Sequence, residues 1–457
     1  MQYEQVVWDE ALIQKYNYSG PRYTSYPTAL EFSEAFSRQD FLTAAAAYPA
    51  RPLSLYVHIP FCHQLCYYCA CNKIVTRQHQ KATEYLTYLE REMAQQSALF
   101  AGRQVTQLHW GGGTPTYLHA DEIRQLMGML RRYFDLAAEG EFSIEVDPRE
   151  IDLSMLDVLR EVGFNRLSIG VQDFNLEVQQ AVNRVQDNDF IRALVVRARE
   201  LGFRSTNLDL IYGLPRQTRE SFRHTLAQVA AMRPDRLSVF NYAHLPARFA
   251  GQHKIQEAWL PSATDKLAML QESIAFLTAQ GYQYIGMDHF ALPEDELAVA
   301  QRAGVLHRNF QGYTTQGDCD LLGLGVSSIS MLGDAYAQNE KELRAYYAAV
   351  TARGEALAKG CRLDADDLLR REVIKQLICN FTLDMTQIEA AYGLVFADYF
   401  AQDLQLLQTF VEDGLVARSA THLQVTPRGR LLIRNICMCF DRYLRDRARQ
   451  QQFSRVI

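Results

Sequence analysis

Stretches with two-residue apolar alternation are followed, repeatedly along this chain, by stretches with a helical apolar period. This repeat narrows the fold more than any other feature of the sequence. Leu53-Ser54-Leu55-Tyr56-Val57-His58-Ile59 predicts a strand over 53–59. Further strands are predicted over 105–110, 142–146, 166–171, 206–211, 237–242 and 284–287. Helices are predicted over 82–99, 121–134, 154–162, 189–201, 219–232 and 263–280. Gly163-Phe164, Gly202-Phe203 and Gly281-Tyr282 each close a helix, the glycine as C-cap and the aromatic turning into the next strand. Strands alternating with helices predict an α/β fold with a parallel sheet and helices outside. Six or more such units without a doubly wound break predict a partial (β/α)6-type barrel, whose chemistry sits at the C-terminal ends of the strands.

The expected domains are an N-terminal arm over 1–36, a barrel domain over 37–364 and a mostly helical domain over 365–457. The arm has little apolar periodicity and is not expected to be core. Residues 334–359 read as helical and polar. Helices at 366–381, 385–393 and 395–413 precede two short strands at 413–416 and 423–426, then a last helix from near Pro427. Helices followed by a hairpin resemble a winged helix, a module that often binds DNA. The stretch from Arg428 to Arg455 holds eight Arg against Asp441 and Asp446, a net of +6, but the whole chain is at −6. No nucleic-acid partner is expected on that balance.

Nine cysteines in 457 residues are too few for a disulfide scaffold, and four of them cluster, which argues for a reducing compartment. The N-terminus has no apolar h-region, and no run approaches the ~18 apolar residues of a membrane span. A cytoplasmic protein, and a monomer, is expected.

The strand over 53–59 runs straight into Cys62-His63-Gln64-Leu65-Cys66-Tyr67-Tyr68-Cys69-Ala70-Cys71. C-x3-C-x2-C in so short a loop can bring three thiolates to three corners of one iron–sulfur cluster. The fourth iron is then left without a protein ligand and open to substrate. The plainer reading is a structural zinc knuckle, which prefers paired C-x2-C or Cys/His ligands. Trp110-Gly111-Gly112-Gly113-Thr114-Pro115 ends the second strand, where missing Cβ atoms let backbone approach a ligand. Glu145 and Asp209 each interrupt an apolar strand, and a carboxylate there is costly to bury without a partner. Arg166 is one available partner for Glu145, and a ligand is the other. Arg184, read alone, is a surface ion pair. Cys319, Cys361, Cys379, Cys437 and Cys439 lack cluster spacing, and Cys437 and Cys439, two apart on the last helix, read as core packing.

The C-x3-C-x2-C signature resembles that of radical S-adenosylmethionine (SAM) enzymes. The wider stretch from Tyr56 to Lys73, with the extra Cys71, resembles the oxygen-independent coproporphyrinogen III oxidases. The resemblance extends from Pro21-Arg22-Tyr23 to the C-terminal Arg455-Val456-Ile457. Ala70 stands where that family usually has glycine, and Tyr68 where phenylalanine is common. Alanine fits there if its φ is negative and strains the loop if φ is positive.

What the resemblance implies is specific. Cys62, Cys66 and Cys69 would hold one [4Fe-4S] cluster. Tyr56, Gly112, Gly113, Thr114, Glu145, Ala243 and Ile329 would contact a first SAM. Tyr68, Gln172, Arg184 and Asp209 would bind a second. Tyr56, Glu145, Phe310, Gln311 and Cys71 would stand near the reaction centre. The implied reaction is oxidative decarboxylation of two propionates of coproporphyrinogen III to vinyl groups, giving protoporphyrinogen IX in haem biosynthesis. It would consume SAM, released as methionine and 5′-deoxyadenosine, and need an electron donor and an electron acceptor. Side-chain bases cannot break an unactivated propionate C–H bond, so a cofactor must carry that step. Arg22, in a polar arm, is expected to meet a propionate as residues 21–28 close over the substrate. The alternatives are a related radical SAM-type haem chaperone and a radical SAM enzyme with another substrate. An iron–sulfur DNA-binding sensor is a third.

Overall fold

The structure, a computed structural model, describes residues 4–446. It falls into two compact units. One comprises Phe32–Met269 and Asp318–Arg362; the other comprises Met1–Glu31, Leu270–Gly317 and Leu363–Ile457.

The first unit is built on parallel strands β1 (Leu53–Ile59), β2 (Gln104–Gly112), β3 (Asp135–Val146), β4 (Arg166–Gln172), β5 (Ser205–Tyr212) and β6 (Arg236–Asn241). They lie side by side in chain order, and β7 (Asp320–Leu324) adds in parallel on the free side of β1. Helices α1 (Gln80–Ser97), α2 (Ala120–Tyr133), α3 (Ser154–Glu161), α4 (Leu176–Ala181), α5 (Asn188–Glu200) and α6 (Arg219–Met232) make the crossovers. The predicted alternation is therefore the observed one. Helices α3 and α5 close as expected: the amides of Phe164 and Phe203 reach back to the carbonyls of Leu159 and Ala198, both at 3.0 Å.

Alternation along the strands divides the two faces of the sheet. Leu55, Val57, Leu108, Trp110, Ile144, Leu167, Ile169, Leu208, Leu210 and Val239 are buried. Their neighbours in sequence, Tyr56, His109, Ser143, Glu145, Ser168, Asp209 and Ser238, carry polar atoms on the opposite face. Register aligns that polar row across the sheet: Tyr56 faces His109, His109 faces Ser143, Glu145 faces Ser168, and Asp209 faces Ser238.

One sequence expectation fails here. Residues 334–359 are not helical throughout. Only Leu343–Arg353 is a helix within that stretch. Together with β8 (Ile329–Leu332), β9 (Ala335–Asn339) and β10 (Leu357–Arg362) extend the sheet antiparallel beyond β7. The burial of Ala335, Tyr336 and Ala337 between sheet partners overrides their local helix propensity.

The second unit centres on helix α7 (Ala365–Asn380), followed by helices Met385–Tyr392 and Ala401–Glu412 and by paired strands Val416–Arg418 and His422–Val425. A third strand, Thr382–Asp384, was not anticipated. The arm also belongs to this unit, against the expectation that it is not core. Ile13, Tyr16, Tyr23 and Tyr26 are buried, and Tyr23 donates to Asp441 at 2.9 Å. Nε of Arg434 donates to the Pro21 carbonyl at 2.8 Å. The two units group the chain differently from the three parts expected from the sequence, placing 1–31 and 270–317 with 363–457.

Among the described residues of the basic C-terminal stretch, three arginines pair with carboxylates of this unit. Arg442 pairs with Asp364 and Asp366, Arg445 with Asp403, and Arg428 with Asp9. The arginines at 447, 449 and 455 lie outside the described residues. Among the described residues no helix is long and apolar enough to cross a membrane.

Candidate functional site: a cysteine loop at the strand ends

The cysteine loop leaves β1 through Phe61 and Cys62 and returns at Ile74 and Val75, which pair with them in parallel. Its geometry rests on the strand below it. Nε2 of His58 lies 3.0 Å from the Asn72 carbonyl, and Nδ1 of His58 lies 3.0 Å from the Tyr56 hydroxyl. A carbonyl only accepts, so Nε2 carries the proton and Tyr56 O–H donates to Nδ1. His58 is thereby a neutral brace between β1 and the loop, and burial lowers its pKa in the same direction. Tyr56 also stacks on His109, with ring centres 5.9 Å apart.

Each of the three signature thiols has a distinct environment. Cys62 is buried 3.3 Å from the Thr114 hydroxyl, and burial pushes its thiol up to about 12. Cys66 accepts from Nη2 of Arg149 at 3.2 Å and from Nη1 of Arg184 at 3.5 Å. Cys69 takes a hydrogen bond from the Cys71 thiol and has the Lys73 ammonium beside it, which together hold it down to about 6. Lys73 is itself anchored on the Cys69 carbonyl at 3.0 Å. Ala70, on this loop, has no positive φ, so the alanine introduces no backbone strain.

Among the described residues no three His, Cys, Asp or Glu side chains gather as ligands of a single metal ion. A four-iron cluster makes a different demand, one thiolate for each of several irons. Three thiols on one short loop, one already biased toward thiolate and one facing two guanidiniums, fit that donor chemistry.

Beside the loop, the glycine tract forms a cradle that side chains would fill. A Cβ on Gly113 would lie 2.6 Å from the Pro60 carbonyl oxygen, and one on Gly112, at φ 118°, 2.7 Å from the His58 ring. The Gly112 amide donates to Oε2 of Glu145 at 3.2 Å. Arg166 pairs with Glu141 at 3.7 Å, and Glu145 is half-exposed with Nε2 of His109 3.5 Å away. The carboxylate, the bare glycine backbone and Thr114 fit a zwitterionic ligand such as SAM.

Further along the sheet, Asp209 accepts from Ser168 at 3.0 Å and from Asn207 at 2.9 Å, and desolvation raises its pKa. Gln172 sits at the β4 bulge with φ 66°, its amide turned toward Gly170 and Arg184. Arg184 is not a surface residue. It is buried, with Nη1 on Asp147 at 2.9 Å and Nη2 on the Gly170 carbonyl at 2.5 Å, while its Nε has no partner. Tyr68 packs against Val178, Val182, Leu214, Tyr242 and Ile255. Ala243 follows β6 and is exposed rather than core, whereas Ile329 is half-buried at the start of β8.

Three residues in this arrangement were not anticipated from the sequence. Arg149 forms an ion pair with Asp147 at 2.6 Å as well as its contact to Cys66. Although burial opposes ionisation, Arg184 and Arg149 hold the Asp147 carboxyl down to about 2. His58 gave a signal only as a polar residue in an apolar strand. Gln252, buried, ties the loop to the end of β6 by donating to the carbonyls of Tyr68 at 3.1 Å and Ala243 at 3.2 Å.

Phe310, Gln311 and Arg22 belong to the second unit. Phe310 and Gln311 are the two turn residues of the hairpin His307–Asn309 and Gly312–Thr314. Arg22 forms an ion pair with Asp288.

Residues 56–229 match the family model described as the Radical SAM superfamily, and residues 363–432 match that of the HemN C-terminal domain. The chain is 67% identical over 457 residues, all of both chains, to a protein of Escherichia coli (strain K12) named oxygen-independent coproporphyrinogen III oxidase. It is 52% identical to the Pseudomonas aeruginosa protein of the same name, with 98% of this chain and 99% of that one covered. A solved structure described as coproporphyrinogen III oxidase (HemN) from Escherichia coli, a radical SAM enzyme, superposes with a TM-score of 0.94 at 65% identity. That match covers 96% of this chain and 100% of the other.

Proposed function

The chain belongs to the oxygen-independent coproporphyrinogen III oxidases of the radical SAM superfamily, and from that premise we infer an anaerobic oxidative decarboxylation. Two propionate side chains of coproporphyrinogen III become vinyl groups, giving protoporphyrinogen IX and carbon dioxide. The observation that carries this reading is the loop of Cys62, Cys66 and Cys69 at the C-terminal end of β1, beside a glycine cradle and Glu145.

Cys62, Cys66 and Cys69 hold the cluster, and when bound the cluster and SAM supply the one-electron chemistry that no side chain here can perform. Gly112, Gly113 and Thr114 admit the first SAM to the backbone, and Glu145 accepts from its polar groups. Tyr56 is held by His58 and stacked on His109, so it forms a fixed wall. Ala243 and Ile329 offer apolar surface. For a second SAM, Asp209 and Gln172 supply polar contacts, Tyr68 an aromatic face, and Arg184 a charge already shared with Asp147. Two SAM per chain is the stoichiometry proposed. Cys71 acts on Cys69 by its hydrogen bond, and Phe310, Gln311 and Arg22 are proposed to contact the tetrapyrrole. A separate electron donor and acceptor are required, and a cytoplasmic monomer is proposed.

The test is anaerobic incubation of cluster-loaded protein with coproporphyrinogen III, SAM and a one-electron reductant, followed by chromatography of the oxidised porphyrins. A divinyl, two-propionate product is expected. Cleavage of SAM with all four propionates retained would overturn the reading.

A further inference from the structure

Four carboxylates on one ligand call for cations, and Arg22, the cation expected from the sequence, is already paired with Asp288. A different arginine in the same unit is not so engaged. Arg308 stands in the hairpin strand His307–Asn309, opposite Tyr313 in the partner strand. Its guanidinium carbon lies 4.7 Å from the centre of the Tyr313 ring. Nε and Nη1 of Arg308 are buried, and neither has a hydrogen-bond partner. Among the described residues no carboxylate forms an ion pair with it. The side-chain amide nitrogen of Gln311, on the turn of the same hairpin, is likewise buried without a partner.

A guanidinium cannot shed its charge at any accessible pH, so burial without an anion is a cost that folding alone leaves unpaid. Tyr313 orients the guanidinium from its face and hydroxyl, and leaves Nε and Nη1 without an acceptor. Nor is the hairpin loose. Tyr313 O–H donates to the Ile378 carbonyl at 3.3 Å, and Asn380 at the end of α7 brackets the Leu306 backbone at 3.1 and 3.2 Å. Fixed, unpartnered donors of one charge on one short hairpin form a receptor for an anion with planar acceptor oxygens.

We propose that Arg308, with Gln311 beside it, is a substrate-binding residue that anchors a carboxylate of the tetrapyrrole. The inference rests on the decarboxylase reading, which supplies a ligand carrying four propionates. Arg308 orients the ring by its charge, while the hydrogen-abstracting chemistry belongs to the cofactor site.

The test is anaerobic equilibrium binding of coproporphyrinogen III to cluster-loaded protein without SAM, comparing the unmutated chain with Arg308→Ala, Arg308→Gln and Arg308→Lys. Loss of a hydrogen bond to a charged group should weaken binding about 10- to 100-fold in Arg308→Ala. Arg308→Lys, which keeps the charge, should lose less than Arg308→Gln. The tetramethyl ester of the substrate should bind all four proteins alike. Unchanged affinity in Arg308→Gln, with iron content and melting temperature unchanged, overturns the anchor and leaves the decarboxylase reading standing. Binding that depends on Arg308 with no vinyl product from the unmutated protein upholds the anchor and removes that reading. Failure of the unmutated protein to bind the tetracarboxylate overturns both.

Discussion

Nη2 of Arg149 lies 3.2 Å from the sulfur of Cys66, across 83 residues of chain. The same guanidinium is ion-paired to Asp147, which also holds Arg184. Two guanidiniums donate to the Cys66 sulfur and fix it as an outer shell fixes a ligand, and the carboxylate between the two arginines keeps them in place. Replacing Arg149 by Met takes one of the two cationic partners of Asp147 and so costs stability as well, but its specific mark should be weaker iron retention. Loss of such an outer partner typically costs about 10- to 100-fold in metal affinity. Iron release to a chelator, timed anaerobically, reads this directly. A rate equal to that of the unmutated protein would show that Arg149 serves Asp147 alone.

The four clustered cysteines should behave unequally. Ser at Cys62, Cys66 or Cys69 removes a soft thiolate ligand and should abolish the cluster. Cys71→Ser keeps an O–H that can still donate to Cys69, so most iron should stay bound. Iron and sulfide counts on the anaerobic variants decide it, and a full cluster in Cys66→Ser would refute the ligand set.

Two SAM per chain is a statement about stoichiometry, and the structure says which variant can test it. Arg184 is poorly suited, because removing it leaves Asp147 buried and short of a partner, at a cost of about 3–5 kcal/mol in stability. Gln172 is half-buried at a bulge, and Gln172→Ala removes its amide without stranding a charge. Equilibrium binding should saturate at two SAM in the unmutated protein and about one in Gln172→Ala. A single site in both would dismiss the second SAM.

The parallel core was legible because each strand and helix carries its own period. Residues 53–59 and 219–232 appear in the structure as read, and most other boundaries of β1–β6 and α1–α6 shift by a residue or two. The exceptions are β3, which begins at Asp135, seven residues before the apolar run that announced it, and α4, which no predicted helix covers. What could not be read depends on partners far away in sequence. The β9 strand contains alanines that favour a helix locally and becomes a strand only against β8 and β10. Likewise, Pro148-Arg149 reads as an ordinary turn, and only the fold brings Arg149 to Cys66. Glycine and cysteine spacing announced the cofactor side of the site, because a tight cradle demands particular residues at fixed offsets. Nothing at Arg308 is periodic or spaced, so its unpaired donors are visible only once the hairpin is folded.

The N-terminal arm has little apolar periodicity and is not expected to be core, yet its packing ties it to the stability of the second unit. Ile13, Tyr16, Tyr23 and Tyr26 are all buried, and Asn435 donates to the Tyr16 carbonyl at 3.0 Å. Each large apolar side chain returned to water costs about 1.5–3 kcal/mol. Deleting residues 1–30 should therefore lower the melting temperature markedly. The clean variant for substrate contact is Arg22→Ala, whose ion pair with Asp288 is partly exposed and worth about 0–1 kcal/mol. If Arg22 meets a propionate, that variant should keep its melting temperature and lose substrate affinity. Unchanged affinity would confine Arg22 to its pair with Asp288.

Asp147 gives a pH dependence whose sign is fixed. Its folded pKa, about 2, lies below the ordinary 3.8 because Arg184 and Arg149 favour the carboxylate over the opposing effect of burial. A group depressed in the folded state contributes stability that is fully present above the unfolded pKa and lost as pH falls through the folded one. The contribution should be on the order of 2 kcal/mol above pH ~4 and fade between pH ~4 and ~2. Asp147→Asn removes the titrating group, so its deficit relative to the unmutated chain should be constant at neutral pH and shrink across that acid window. Chemical denaturation before cluster reconstitution keeps acid loss of iron out of the measurement. A deficit that persists unchanged to pH 2 would mean that the carboxylate's packing, and not its charge between two arginines, is what stabilises the Cys66 side of the loop.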